Sequence, residues 1–594
     1  MKNGIKYLSA VSILPDEELD GEIIFLSKSN ITDSTSSRLR NNELEIIPEI
    51  WNGSLRLRET SEYLEKLYRD LVGKIGPVLN RIHGVNYPSL FWEIPMASWL
   101  LFFLPPLFDR YSRLRRAIEL YGRENLILLA CRYKLGPYSG HPDFMEKLCV
   151  TEQSVSAFYG NVARQMGITV KEFSSDKPSI RIGTSSEKRL NILSKSFLLK
   201  VFNKLKKELW NLIILKPFEG KNILMDQSIF NEWERFILAK ELRATFLPIR
   251  MKSYVKAENI DRLNLLSIKP NDEFEAVVIK LLPRFTPKYL LEEFRSYFQT
   301  AERYSNFKLY FFVNSWVTNT VFNYAVSLAR LKGAKAVSCQ HGGGYGQHEN
   351  NYVESIERHF SDYFVSWGWK DSFYPGAQIL PLPQPNLSRL LNKHSPKLKI
   401  AIWVSVSVPK HVYRFYPYPF MPDMFHIYFS CKERFAVSLD SAIRNFMVYR
   451  PYHYDYGWLE EEMDFLDEYK IRLEYSGTVP ALLQKVRLYI CDHLSTSFME
   501  ALVANTPSVI FWDYELCRER EDAKPAFDLL RKAEILFHDP IDAANKVNSI
   551  WDDVQGWWME PIRQEARIKF MEKFCWADTH WQGKWIDAFK ELAR

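Results

Sequence analysis

Cysteine is scarce and unpatterned. Only seven occur in 594 residues, scattered at 131, 149, 339, 431, 491, 517 and 575 and never spaced as Cys-x-x-Cys. That argues against a disulfide framework and against a structural zinc site. No Asp-x-Asp pair and no His-Glu-x-x-His run occurs, so two common signatures of a catalytic divalent metal are missing. An excess of one charge is missing too: 78 Lys and Arg stand against 72 Asp and Glu, a net charge of +6. A nucleic-acid binder concentrates its positive charge more than this. Long apolar runs are lacking. The most apolar stretch, Ala97–Phe108, has twelve residues and two prolines, whereas a membrane-spanning helix needs about 20 apolar residues. The first residues do not form a basic, then apolar, then small-residue leader. These features lead to the expectation of a cytoplasmic protein that at most touches the inner face of a membrane.

What is present is ordinary globular composition, with 46% hydrophobic and 25% charged residues. The length exceeds what one hydrophobic core serves, so two or more domains are expected. Aromatic residues reach 15%, including 17 Trp and 31 Tyr. Flat rings suit the apolar faces of sugars, and they suit large cores equally well. The short basic run Lys204–Lys207 reads as a solvated helix face, or as a contact for an anionic membrane surface.

Two strand-like runs open the chain, Ile5–Ile13 and Glu22–Leu26. Helical periodicity follows over about 58–122, with Leu64, Leu67, Leu71 and Ile75 on one face. Leu126–Ala130 reads as a buried strand. From 150 to 300 helices (196–212, 229–240, 287–302) alternate with strands (Asn222–Met225, Ala244–Pro248). Strand Lys308–Val313, a helix over 318–332 and strand Ala334–Cys339 then make a β-α-β unit. A Pro-rich joint, Pro381–Pro396, precedes a second alternating pattern. Its strands are Leu398–Val404, Phe446–Tyr449, Leu488–Cys491 and Ser508–Phe511, and its helices are 433–445, 479–486 and 497–504. A Trp-rich helical tail ends the chain. The expected fold is α/β, with two Rossmann-type doubly wound domains facing a cleft, a helical N-terminal insertion and a helical C-terminal tail. The expected boundaries are 1–390, with the insertion at about 58–122, then 397–540 and 541–594. In open α/β sheets ligands sit beyond the carboxyl ends of the strands, so the strand-to-helix turns are where chemistry is sought.

Three such turns stand out. Gln340-His341-Gly342-Gly343-Gly344-Tyr345-Gly346 directly follows the strand ending at Cys339, with four glycines in five positions. Glycines let the backbone approach a ligand and present its amides, and a His at a strand end can act as general base. Read structurally, the run is a tight turn with an incidental His. Asp492-His493-Leu494-Ser495-Thr496-Ser497-Phe498-Met499-Glu500 follows strand Leu488–Cys491. Ser495, Thr496 and Ser497 at a helix start offer hydroxyls and unpaired amides to a phosphate, with Glu500 one turn on for a ribose hydroxyl. Read structurally, Ser497 and Glu500 are a capping box. In Arg450-Pro451-Tyr452-His453, after strand Phe446–Tyr449, the Arg450 guanidinium suits a phosphate clamp assisted by His453, or the run is a polar aromatic surface loop. Among weaker candidates, Asp226 follows a strand as a catalytic carboxylate. His83, Trp92, Trp99 and Arg110 serve either the core or an acceptor groove. Asp362, Trp367 and Trp369 read as structural.

In order along the chain, these residues resemble a family of transferases encoded in bacterial O-antigen and other surface-polysaccharide gene regions. The resemblance runs through Leu79-Asn80 with His83, Phe91-Trp92, Trp99-Leu100 and Phe108-Asp109-Arg110. It continues through the His341 loop, Ser361-Asp362, Trp367-Gly368-Trp369, Arg450-x-Tyr452-x-x-Asp455, Ser495-Thr496, Glu500-Ala501 and Trp557-Trp558. More distantly, the His-Gly turn and the Ser-Thr-Ser helix start are similar to elements of two-Rossmann (GT-B) enzymes that use CMP-sugars or CDP-polyols. That likeness implies His341 as base and Ser495, Thr496 and Ser497 as the donor-phosphate site. The CMP-sugar enzymes carry a His-Pro pair where this chain has Arg450-Pro451, which leaves the donor nucleotide open.

The missing metal motifs, the strand-end readings and the resemblance together lead to the expectation of a metal-independent glycosyltransferase with no cofactor beyond its nucleotide-sugar donor. Gly342, Gly343, Gly344, Arg450, His453, Ser495, Thr496, Ser497 and Glu500 would bind the donor, and His341 and Asp226 would be catalytic. The partner would be a glycan or lipid-linked glycan acceptor, with no nucleic acid. Open alternatives are polyol-phosphate transfer, nucleotide-sugar epimerisation and non-catalytic polysaccharide binding.

Overall fold

A computed structural model describes residues 4–31, 45–51, 53–140, 143–144, 151–175, 210, 214–226, 228–247, 255–349, 351–370, 373–396, 398–412, 415, 420–454 and 456–594. The expected helix at 196–212 and the basic run Lys204–Lys207 lie outside them, apart from Trp210. The chain divides into two compact units. Unit 1 gathers residues 1–182, 253–300 and 408–426; unit 2 gathers 183–252, 301–407 and 427–594.

Unit 1 holds a five-stranded parallel sheet. Its strands are β1 (Lys6–Ser9), β2 (Glu22–Phe25), β3 (Glu45–Ile46), β4 (Leu126–Cys131) and β5 (Thr169–Phe173), in the order β3-β2-β1-β4-β5. The expected insertion is therefore the β3-to-β4 crossover of a sheet of its own, built from helices Ser54–His83 and Ser89–Tyr121. Residues 1–390 carry two sheets where the sequence pattern showed one. The second helix is long and apolar enough to cross a membrane by length and composition, yet 89% of its apolar window is buried in the structure. Pro95, Pro105 and Pro106 lie within it. The prolines that made Ala97–Phe108 look short do not end the helix, because burial on all sides outweighs the lost backbone bonds.

His83, Trp92, Trp99 and Arg110 are all buried there, as core residues. His83 Nε2 meets the Leu290 carbonyl at 2.9 Å, and Trp92 donates to Asn80 Oδ1 at 3.1 Å. A buried ionic knot ties the unit together. Arg113 donates from Nε to Asp109 at 2.8 Å, from Nη1 to the Leu26 carbonyl at 2.8 Å and from Nη2 to both oxygens of Asp423 at 2.8 and 2.9 Å. Asp423 arrives on the segment 408–426, far along the chain.

Unit 2 holds two six-stranded parallel sheets. One comprises β6 (Ile223–Asp226), β7 (Ala244–Leu247), β8 (Leu309–Phe312), β9 (Lys335–Cys339), β10 (Tyr363–Ser366) and β11 (Gln378–Pro381), in the order β11-β10-β9-β8-β6-β7. The other comprises β12 (Leu398–Val404), β13 (Met447–Arg450), β14 (Arg472–Leu473), β15 (Val486–Cys491), β16 (Ser508–Phe511) and β17 (Leu536–Phe537), in the order β14-β13-β12-β15-β16-β17. This second order is that of a dinucleotide-binding Rossmann sheet, reversing direction between its first and fourth strands. β6, β8 and β16 are buried at every position, as parallel strands covered on both faces must be.

The Pro-rich joint connects β11 to β12 and is firmly packed. The Gln384 amide donates to the Trp576 carbonyl at 2.9 Å, and Trp585 Nε1 donates to the Pro383 carbonyl at 2.8 Å. The tail is core, too: Trp581, Trp585, Phe589 and Leu592 of helix Trp581–Leu592 pack among Met225, Phe230, Phe311 and Val337 around β6, β8 and β9.

Candidate active site

The two sharpest sequence motifs meet inside unit 2. Gln340, fully buried at the end of β9, anchors the glycine loop. Its Oε1 accepts from the Trp367 amide at 3.1 Å and from Trp369 Nε1 at 2.9 Å, and its Nε2 donates to the Gly342 carbonyl at 3.0 Å. Trp367 and Trp369 thus have the structural role read for them, as does Asp362, which accepts from the Ala336 amide at 2.7 Å. The loop then runs against the helix start after β15, where the Gly343 amide donates to Thr496 Oγ1 at 2.8 Å. A Cβ on Gly343 would lie 2.5 Å from the Ser495 carbonyl carbon and 2.7 Å from the Thr496 amide nitrogen. The glycine is required for one backbone to approach the other.

His341 stands beside this junction with a quarter of its side chain exposed. Its Nδ1 lies 2.9 Å from the Tyr345 hydroxyl. That hydroxyl donates to Glu357 Oε2 at 2.8 Å, and Trp316 Nε1 donates to Glu357 Oε1 at 2.9 Å. Tyr345 has one hydroxyl proton. When it bonds to an ionised Glu357, the phenolic oxygen accepts from His341 Nδ1–H, and Nε2 is the ring's acceptor, the tautomer a general base needs. When Glu357 is protonated the chain of donors reverses and Nε2 carries the hydrogen. Burial pushes the Glu357 carboxyl up to about 8, against the opposing bonds from Tyr345 and Trp316. Sequence reading did not find Glu357. It lies on helix Tyr352–His359, where nothing in the local pattern marks it.

At the helix start, Ser495 is the cap: its Oγ accepts from the Ser497 amide at 3.3 Å and lies 2.9 Å from Ser497 Oγ. Ser497 Oγ lies 2.7 Å from the Tyr489 hydroxyl. The Ser497–Glu500 capping box is therefore not formed, because the cap lies two residues earlier, at Ser495, and the helix begins at Thr496. Glu500 takes no hydrogen bond from a described residue, and burial raises its carboxyl to about 7. It is held near its titration point, one turn from three hydroxyls.

Behind this start lies a pair that sequence reading quoted without a role. Asp492 accepts from Trp403 Nε1 at 2.9 Å and lies 2.8 Å from His493 Nδ1. Burial presses the His493 ring toward neutrality, but Cys491 and Asp492 outweigh it and hold its pKa up at about 9. The strand-end position of both residues was the available signal. Deeper still, Lys432 is fully buried, with its Nζ 2.5 Å from the Tyr449 hydroxyl and 3.4 Å from Glu462 Oε1.

Three proposed site residues have other work in the structure. Asp226 is buried at the end of β6 and accepts from the amides of Ser228 (2.8 Å), Ser315 (3.1 Å) and Val313 (3.4 Å). It fastens the loops after β6 and β8, and those backbone donors occupy the carboxylate expected to be catalytic. The Arg450 guanidinium donates to the carbonyls of Glu474 (3.1 Å), Ser476 (3.3 Å) and Gly477 (3.0 Å), which makes it a staple of that loop rather than an open fork. The exposed His453 ring lies 4.5 Å from Tyr452 and 4.2 Å from Tyr454. Partial desolvation, then the Arg450 charge, lowers its pKa, so it is a poor cation for a phosphate near neutral pH.

No curated protein sequence matches the chain. Among solved structures, the spinosyn forosaminyltransferase SpnP overlays with a TM-score of 0.30 at 11% identity, covering 63% of this chain and 100% of that chain. A trehalose 6-phosphate synthase from Burkholderia multivorans gives 0.32 at 8% identity, covering 63% and 97%. WaaG, a glycosyltransferase involved in lipopolysaccharide biosynthesis, gives 0.23 at 10%, covering 78% and 99%. Overlays this loose identify neither donor nor acceptor. The sequence profile is the firm result: matched over residues 12–589, the chain belongs to the LIC12162 family of transferases.

Proposed function

We propose that this transferase is a GT-B-type glycosyltransferase, moving a sugar from a nucleotide-activated donor to a growing surface glycan such as O-antigen, at the cytoplasmic face of the membrane. The observation that carries the reading is the junction of the His341 loop with the Ser495–Ser497 helix start, backed by the Tyr345–Glu357 pair. It joins a base to a phosphate-binding position on neighbouring loops of unit 2.

In this reading His341 Nε2 takes the proton of the acceptor hydroxyl as its oxygen attacks the anomeric carbon. The bond from that carbon to the donor phosphate breaks, and the nucleotide leaves as the anion. Charge on the leaving phosphate is met by the amides and hydroxyls at residues 495–497, at the positive end of helix Thr496–Ala504, without a metal. The buried His493 cation lies behind them. Glu500, protonated over part of the neutral range, donates to a ribose hydroxyl. Residues 397–540 form the donor domain in this scheme, and Tyr345 and Glu357 are positioning residues that set the His341 tautomer.

A thermal-shift screen against CMP, CDP, UDP, GDP and dTDP tests the reading. A specific nucleotide stabilises by about 2.7 kcal/mol at a hundredfold excess over Kd. One nucleotide should shift the wild type, and that shift should vanish in Ser495→Ala with Thr496→Val. No shift with any of the five at saturation would sink the transferase mechanism at this site.

A further inference from the structure

Unit 1 contains a cavity of about 460 Å³ that the scheme above does not use. It opens beside the carboxyl end of β4, one of the two strands at which the unit 1 sheet reverses its order. That is where open α/β sheets bind ligands, and the volume falls within the range of small-molecule sites. The cavity is lined by Arg132, Lys134, Arg164 and Arg284, with Glu172 as the only carboxylate among its lining residues.

The single carboxylate is shared. Glu172 is bonded to Arg164 Nη2, and Arg132 Nε lies 3.8 Å from it. Arg284 is held by neutral acceptors, Asn161 Oδ1 at 2.7 Å and the Leu135 carbonyl at 3.3 Å. They aim its guanidinium and leave its charge unbalanced. Lys134 has no ion pair among the described residues. Four cations gathered around one acid repel one another, and an anion in their midst relieves the repulsion. Guanidinium forks fit the paired oxygens of a phosphate. We propose that this cavity binds a phosphate ester or pyrophosphate group. The assignment stands apart from the transferase reading, since its residues and those of the His341 junction lie in different units.

The test is calorimetric titration of the full-length protein with inorganic pyrophosphate, repeated on Arg132→Ala/Lys134→Ala and on Ser495→Ala. Both altered residues of the double variant are exposed, and an unchanged melting temperature verifies its fold. The expected result is binding in the wild type with a component that weakens at least about tenfold in the double variant and persists in Ser495→Ala. Equal affinity in the double variant overturns the proposal. So does a loss that follows Ser495→Ala instead, or the absence of binding to the wild type up to roughly 10 mM. Co-sedimentation with phosphatidylglycerol vesicles, competed by pyrophosphate and lost in the double variant, would identify a lipid headgroup as the source. Calorimetric binding without co-sedimentation would identify a soluble ester.

Discussion

Gly343 and Thr496 are joined by a 2.8 Å hydrogen bond across 153 positions of sequence. The loop after β9 and the helix start after β15 therefore behave as one object, and a disturbance in either is felt in both.

Gly343→Ala puts a methyl group against the backbone of Ser495 and Thr496, neither of which can rotate away. Destabilisation of about 1–3 kcal/mol is expected, together with loss of any nucleotide-induced shift. Thr496→Val removes one acceptor and should cost about 0.5–1.5 kcal/mol. Urea unfolding measures both, and a Gly343→Ala protein as stable as the wild type would contradict the close approach.

Glu357 gives a pH signature. Its carboxyl rises from an ordinary 4.5 to about 8 in the folded protein, so the native state binds the extra proton between those values. Its contribution to stability is full below about 4.5 and lost as pH climbs to about 8, with a slope of up to about 1.4 kcal/mol per pH unit. Glu357→Gln should flatten that slope. In the transferase scheme kcat/KM should rise with pH toward about 8 in the wild type, because ionised Glu357 sets the basic tautomer of His341. Unfolding curves from pH 5 to 9 that match in the two proteins would rule out the raised carboxyl.

Arg450→Ala should loosen the 474–477 loop, at about 1–2 kcal/mol for its carbonyl bonds. It should leave the nucleotide-induced thermal shift intact. A variant of normal stability that no longer responds to nucleotide would return Arg450 to the donor site.

Asp423→Ala strips the buried Arg113 of its bidentate partner. A loss of about 3–5 kcal/mol is expected, read by chemical denaturation. Replacing Arg113 and Asp423 together by apolar residues should recover part of it, since no unpaired cation is then left and Asp109 keeps Arg110 and Trp51 as partners.

Much of the fold was legible where strands are apolar and mostly buried. β4, β6, β8, β9, β12, β15 and β16 all appear as apolar runs bounded by turns. What escaped was short or partly exposed: β14 and β17 have two residues each, and all four residues of β11 are at least partly exposed. The separate sheet of unit 1 was hidden because about 80 residues of helix and loop separate β3 from β4, and no local pattern reports a pairing across such a gap. In the candidate site, strand-end logic singled out His341 and Ser495–Ser497, whose loops the structure brings together. It also promoted Asp226 and Arg450, which occupy strand ends but spend their polar atoms on neighbouring backbone. Sequence gives the place of a side chain and not its partners, and for the same reason Glu357, mid-helix and polar, was invisible.

The seating of helix Trp581–Leu592 in the core around β6, β8 and β9 bears on how the chain is made. The strands of that sheet leave the ribosome before those of the β12–β17 sheet, but their apolar face stays uncovered until residues 581–592 follow. At roughly 5–20 residues per second, that interval lasts tens of seconds, long enough for the β12–β17 sheet to fold in the meantime. The earlier sheet is thus completed last. A nascent chain halted at residue 580 should bind a hydrophobic dye that a chain extended past residue 592 does not, because losing helix Trp581–Leu592 acts on the distant sheet around β6, β8 and β9.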